Sequence, residues 1–195
     1  MAKITSIKGR LIYNSRGNKT VEVDVISDNQ YLGRTCAPSG ASVGKYEAVS
    51  FPNDNPEESL RILTENSKKF LGLEPNDLKV IHETIKSIDK TPNYSEVGGA
   101  IAYAVSIASM ESASKAIGKP LFRLISEQSE YRFPIPLGNI LGGGAHAGPG
   151  TPDIQEILIS ATNAKTVREA IQTNLAVHKE LRKVIEKTDS SFTNG

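Results

Sequence analysis

Residues 3–36 alternate apolar and polar side chains in the manner of half-buried β-strands. In the segment TVEVDVIS, three valines alternate with Glu22 and Asp24. A period of two places the valines on one face of a strand and the acidic side chains on the other. The turn-forming sequences SRGN at 15–18 and SDNQ at 27–30 bracket this strand. The pattern predicts a three-stranded antiparallel meander.

Helices are predicted next, from apolar spacing and capping signals. Asn55 can cap a helix with Pro56 at its first position and Glu58 reaching back as a capping box. Four apolar residues then recur at helical spacing: Leu78, Ile81, Ile85 and Ile88. Residues 98–117 carry Ala, Ser and Gly on nearly every face, which indicates a central, buried helix that Gly118 ends. A meander followed by helices predicts an α+β domain.

The pattern changes after Arg132. FPIPLGNILGGG and the run at 154–160 are apolar segments of strand length, separated by a loop rich in Gly and Pro. An amphipathic helix is predicted from Thr166 to Lys187. Because two strands and one helix cannot bury their own apolar faces, we expect this region to be the beginning of a larger domain.

Composition and charge narrow the class of protein. The chain has 195 residues, with 38% hydrophobic residues, and its 23 Lys and Arg nearly balance 22 Asp and Glu. This balance argues against nucleic acid or an anionic membrane as the main partner. A single cysteine, Cys36, cannot form an internal disulfide. No signal peptide or apolar run of roughly 20 residues is evident, so a soluble protein of the cytoplasm is expected.

The sequence PSGASVGKYEA, which begins at Pro38, contains the pattern G-x-S-x-G centred on Ser42. This pattern occurs in the nucleophile elbow of serine hydrolases, where a helix follows the serine directly. No amphipathic helical run follows Gly44, however, and no histidine lies in a recognisable catalytic position. Small residues from Ser39 onward could instead form a loop that closes over a ligand and offers hard oxygen ligands to magnesium. A solvent-exposed connection without a role is equally compatible with the composition.

A second glycine-rich segment, GGGAHAGPG, carries His146. Its glycines suit a flexible loop that brings an imidazole to a site, although loop histidines are often merely exposed. Gln155 and Glu156 follow this loop at the start of a predicted strand. A polar pair in an apolar strand can point into a site or simply face water. His178 lies beside the apolar stripe of the last helix and is expected to pack there.

Taken together, the motifs resemble those of enolases. NSRGNKTVEVDV, PSGASVGKYEA, GNILGGGAHAG and QEILI occur in the family's order and at about its separations. The small-residue helix and the last helix also match, so the resemblance spans essentially the whole chain. It implies an α+β N-terminal domain followed by a barrel that begins strand, strand, helix. The implied activity is a lyase reaction of glycolysis, the dehydration of 2-phosphoglycerate to phosphoenolpyruvate with two Mg²⁺ ions and a lysine base.

The resemblance also implies roles for individual residues. Ser39 matches a lid serine that binds the second Mg²⁺ when the loop closes. His146 matches a histidine that approaches the substrate from a second mobile loop. Gln155 and Glu156 match a pair on the second barrel strand, where the glutamate lies by the substrate and takes part in its acid and metal-water network. Under this interpretation, Ser42 is not a nucleophile.

Several positions depart from the family's pattern. Asn14 stands where the family often has Asp, Lys19 where it usually has Pro, and Gly142 where Asn is frequent. The segment from His146 to Gln155 is one residue longer than usual.

The resemblance further predicts a fragment of an enolase. An N-terminal domain is expected at 1–130 and the beginning of a barrel at 131–195, whereas a complete barrel takes roughly 250 residues. The main carboxylate ligands of Mg²⁺ and the lysine have no counterpart, so this chain alone is expected to be inactive. A homodimer or a higher homo-oligomer is expected, because the family's dimers use the N-terminal domain near the SRGN turn. A non-catalytic dimerisation module and a hydrolase using Ser42 remain as alternatives.

Overall fold

The computed structural model describes residues 2–40, 43–126, 128–144 and 151–188. The chain divides into two compact units, Met1–Gln128 and Ser129–Gly195. In the described ranges, no helix combines the length and the apolar character that crossing a bilayer requires.

The first unit begins with the predicted antiparallel meander. Its strands are β1 (Ile4–Tyr13), β2 (Lys19–Ser27) and β3 (Tyr31–Cys36), in the order β1-β2-β3. The three valines of β2 are fully buried, whereas Glu22 and Asp24 lie on the opposite, wetter face. Arg10 and Arg34 from the neighbouring strands donate hydrogen bonds to Asp24. The period of two thus predicted both the strand and its buried face.

The helices of this unit are α1 (Pro56–Asn66), α2 (Leu78–Ile88), α3 (Gly99–Ile117) and the short α4 (Leu121–Ile125). Two 3₁₀ segments, Pro52–Asp54 and Ser67–Phe70, flank α1. Asn55 caps α1 as predicted, because its side chain accepts a hydrogen bond from the Glu57 amide. The predicted capping box is wrong: the Glu58 carboxylate pairs with Arg61, one turn along the helix, instead of reaching back.

Helix α3 is the buried centre of the first unit, as its small residues predicted. Ala104, Val105 and Ala108 are completely inaccessible to solvent. The helix approaches β3 so closely that a Cβ on Gly33 would overlap the carbonyl oxygen of Ala108. The helix ends at Gly118, whose positive φ of 69° suits glycine. Small side chains on α3 and a glycine on β3 are therefore both needed for this contact.

The second unit contains β4 (Leu137–Gly142), β5 (Glu156–Ser160) and α5 (Val167–Thr188). The two strands pair antiparallel, and Asn174 of α5 donates a hydrogen bond to the Pro136 carbonyl. Large apolar side chains remain exposed on the helix, including Leu175 at 54%. The prediction that His178 packs there is wrong, because His178 is exposed. The described part of this unit is two paired strands and a helix and not a closed barrel. It leaves apolar surface uncovered, as the sequence predicted.

Candidate functional site

The turn between β1 and β2 is fixed by the side chain of Asn14. Its Oδ1 accepts hydrogen bonds from the amides of Arg16, at 2.9 Å, and Asn18, at 3.0 Å. The backbone of Asn14 also pairs with Asn18 and accepts from Gly17, which has a φ of 76°. An amide oxygen is sufficient for these bonds, because both donors are backbone amides.

This turn presents Arg16 to the glycine loop, defined here as Pro38–Gly44. The guanidinium donates from Nη1 to the Gly40 carbonyl at 3.0 Å and from Nη2 to the Ser39 carbonyl at 3.5 Å. The turn, the glycine loop and the start of α1 together line a cleft of about 600 Å³. The sequence analysis interpreted the SRGN segment as a turn and, by resemblance, as lying near a dimer surface, and it missed this contact between segments far apart in the chain.

The opposite wall of the cleft contains an ion pair between Lys19 and Glu57. The Lys19 ammonium lies 2.5 Å from the Glu57 carboxylate, in the first turn of α1. The hydrogen bond from Lys19 lowers the pKa of Glu57, and the same pairing raises the pKa of Lys19. Both side chains are half exposed, so this pair contributes little to stability. Lys19 therefore joins β2 to α1.

The described residues alone do not fit a magnesium ion. Ser39 is exposed, and its carbonyl oxygen faces the positive guanidinium of Arg16, which would repel a divalent cation there. The Ser39 hydroxyl forms no hydrogen bond with the described residues and could still serve as an oxygen ligand. Among the described residues, no group of three or more His, Cys, Asp or Glu is placed to hold a metal. Only the hydroxyl role predicted for Ser39 is compatible with this arrangement.

Gln155 and Glu156 lie at the beginning of β5, and both are exposed. Glu156 pairs with Gly142 in the ladder between β4 and β5. The carbonyl of Gln155 accepts a hydrogen bond from the Gly143 amide at 2.8 Å. A Cβ on Gly143 would overlap the carbonyl oxygen of Ile154, so this close approach requires glycine. The structure thus joins the predicted polar pair to the glycine segment that precedes His146.

Two predicted positions, His146 and Ser42, lie outside the described residues. For Ser42, the surroundings can still be compared with a nucleophile elbow, which needs a helix immediately after the serine. Residues 43–51 contain no helix, and α1 does not begin until Pro56. The local backbone therefore does not support the hydrolase alternative.

Comparison with known families gives two consecutive matches. The family described as Enolase, N-terminal domain, matches residues 4–125, and Enolase, C-terminal TIM barrel domain, matches residues 130–195. Together they extend over nearly the whole chain, in the order that the motifs predicted.

Individual enolases are also similar to the chain. The enolase of Methanothermobacter thermautotrophicus is 43% identical to it, and that of Methanosphaera stadtmanae is 40% identical. Each alignment covers 98% of this chain and 46% of the relative. The enolase of Archaeoglobus fulgidus is 38% identical, with 94% of this chain and 45% of the relative covered. The chain thus spans about half the length of these relatives. From the domain matches and these similarities together, the chain belongs to the enolase family.

Proposed function

We propose that this chain serves the enolase reaction, the magnesium-dependent dehydration of 2-phosphoglycerate to phosphoenolpyruvate. The observation that carries the proposal is the match of both enolase domains, in order, to residues 4–125 and 130–195. The geometry of the second unit supports it, because Gln155 and Glu156 lie together at the exposed start of β5. A division into an N-terminal domain at 1–130 and the beginning of a barrel at 131–195 is part of the proposal.

The residues of this chain would act on the substrate and on protons. The proton removed in the reaction lies beside a carboxylate and is very weakly acidic, and the bound Mg²⁺ ions supply positive charge that stabilises the resulting anion. Glu156 would exchange a proton near the substrate, and Gln155 would orient the substrate beside it. His146 would contact the substrate from the second glycine-rich loop. Ser39 would contribute its hydroxyl from the first loop.

We propose that the 195-residue chain alone does not complete this reaction. The chain corresponds to 46% of the Methanothermobacter and Methanosphaera enolases. By family resemblance, the main metal carboxylates and the lysine base would belong to the remaining part. A cytoplasmic location and assembly into a homodimer or a higher homo-oligomer complete the proposal.

The proposed function can be tested with a chimera. Residues 1–195 would be joined to the part of the Methanothermobacter thermautotrophicus enolase that the alignment does not cover. We expect the chimera to form phosphoenolpyruvate from 2-phosphoglycerate, followed by its ultraviolet absorbance, with Mg²⁺ and not with excess chelator. The complete Methanothermobacter enzyme is the positive control. A folded chimera without activity, beside an active control, would contradict the proposal.

A further inference from the structure

The two ends of the glycine loop are held by different side chains. At its beginning, the Arg16 guanidinium contacts the carbonyl oxygens of Ser39 and Gly40. The planar guanidinium fork suits two neighbouring acceptors in a way that a lysine ammonium does not. Arg10 and Arg34 pair with carboxylates, whereas Arg16 forms no ion pair with any residue that the structure describes. Its charge is therefore directed at the loop backbone.

At the other end, Glu47 forms a reciprocal pair with Gly44. The Gly44 amide donates to Glu47 Oε2 at 2.7 Å, and the Glu47 amide donates to the Gly44 carbonyl at 3.1 Å. Hydrogen bonds to an ionised acceptor are stronger than neutral ones, so this contact restrains the end of the loop. Arg16 and Glu47 also line the same cleft.

Arg16 can hold the loop because its own position is fixed. The hydrogen bonds of the Asn14 side chain to the Arg16 and Asn18 amides set the turn from which Arg16 projects. Beyond Glu47, the Val49 amide donates to the Asn93 carbonyl at 2.9 Å, and the Val49 carbonyl accepts from Gly99 at 2.7 Å. The residues that flank the loop are thereby held by the turn between β1 and β2 on one side and by backbone hydrogen bonds at Val49 on the other.

We propose that Arg16 and Glu47 are positioning residues that fix the two described ends of the glycine loop, Ser39–Gly40 and Gly44. Backbone groups that are already held in place have fewer conformations to lose when a ligand binds beside them, so these anchors lower the entropic cost of binding. The consequence for catalysis rests on the proposed enolase reaction, whereas the anchoring itself does not.

The anchoring is testable in the 195-residue chain by NMR measurement of backbone order. Arg16→Ala should increase picosecond-to-nanosecond motion at Ser39 and Gly40 and leave Gly44 unchanged. Glu47→Ala should increase this motion at Gly44 and leave Ser39 and Gly40 unchanged. Glu47→Gln keeps an acceptor oxygen, so it should show much of the wild-type order at Gly44. Arg10→Ala is the matched control and should leave the loop unaffected. Unchanged motion at Gly40 in Arg16→Ala would overturn the proposal.

The catalytic consequence is testable in the chimera. Arg16→Ala should lower kcat/KM for 2-phosphoglycerate about tenfold, since a misplaced loop costs rate without removing a reacting group. Millimolar guanidinium should restore part of the loss in Arg16→Ala and none in Arg10→Ala. If the unmutated chimera is inactive, the proposed function fails while the NMR result still decides the anchoring. An active chimera with unchanged kcat/KM in Arg16→Ala would refute the catalytic consequence.

Discussion

Replacement of Asp89 by asparagine should destabilise the first unit severely. Asp89 is completely buried at the end of α2. Its Oδ1 accepts from the amide and hydroxyl of Thr91, at 2.9 and 2.5 Å. Its Oδ2 accepts from the amides of Glu96, at 3.0 Å, and Val97, at 2.8 Å. This carboxylate therefore organises the segment from 89 to 97, whose Asn93 carbonyl also supports Val49 beyond the glycine loop.

The loss of folding free energy in Asp89→Asn can be worked out from the hydrogen bonds that an amide can and cannot accept. The asparagine side chain would keep one oxygen, but its NH₂ group would face either the two amides at the Oδ2 position or the two donors at the Oδ1 position. Two hydrogen bonds to a charged acceptor are lost and two donors are left unsatisfied, which costs about 4 kcal/mol. Asp77→Asn is the matched control, because the exposed carboxylate of Asp77 accepts a hydrogen bond from just one described residue, through the Val80 amide at 3.1 Å. As an N-cap, asparagine is about as good as aspartate, so the control should cost less than about 1 kcal/mol.

The destabilisation should also depend on pH. Burial raises the pKa of Asp89, but the hydrogen bonds from Thr91, Val97 and Glu96 lower it by more, and the net pKa is below the ordinary value. A carboxyl group with a depressed folded-state pKa stabilises the fold above its unfolded pKa of about 3.9. That contribution is lost as pH falls through the folded pKa. The difference between wild type and Asp89→Asn should therefore shrink in acid.

Native-state amide exchange of Ala104 and Val105 measures this effect, because both residues are buried in α3. Near neutral pH, the free energies of exchange would be compared for wild type, Asp89→Asn and Asp77→Asn. The comparison of wild type with Asp89→Asn would then be repeated in acid. If Asp89→Asn costs no more than Asp77→Asn, or if its cost grows in acid, the reasoning is wrong.

Three further predictions concern packing, the loop and activity. Gly33→Ala should destabilise α3 by about 3 kcal/mol in the same exchange experiment, because the added Cβ would overlap the backbone of the helix. Gly142→Ala should be nearly neutral, because there is open space around Gly142. Ser39→Ala should leave the free energy of unfolding within about 0.5 kcal/mol of the wild-type value and lower turnover of the chimera. If turnover falls in Ser42→Ala and not in Ser39→Ala, the Mg²⁺ ligand is Ser42 and the assignment to Ser39 is wrong. The 195-residue chain alone should form no phosphoenolpyruvate, and product above a contaminant-free blank would contradict this.

Much of the fold could be predicted because its signals are local. Alternation identified β2 and its buried face, and the run of small residues identified α3 as the central helix. Helix α2 was less uniform than its apolar spacing suggested: Ile81 and Ile85 are buried, whereas Leu78 at one end is 41% exposed. Spacing gives the face of a helix, but the extent of burial at its ends depends on what packs there.

The missed features depend on which of several possible partners a side chain binds, or on segments that the fold brings together. Glu58 fits a capping box by position, but its carboxylate accepts a hydrogen bond from Arg61 instead. The Arg16 contact spans 24 residues to Gly40, and no periodicity encodes it. Asp89 looks like an ordinary polar residue beyond a helix, and only the path of the segment from 89 to 97 explains its burial. Position in the sequence could not distinguish the hydroxyl of Ser39 from its carbonyl as a ligand.

The most direct measurement of the central claim is turnover of the chimera with Glu156→Gln. If this chain supplies an enolase site, the unmutated chimera should dehydrate 2-phosphoglycerate, and Glu156→Gln should lose at least about 100-fold in kcat, because the amide cannot exchange a proton. Glu180→Gln, which alters an exposed ion pair on α5, should retain full activity. Equal turnover by Glu156→Gln and the unmutated chimera would contradict the account.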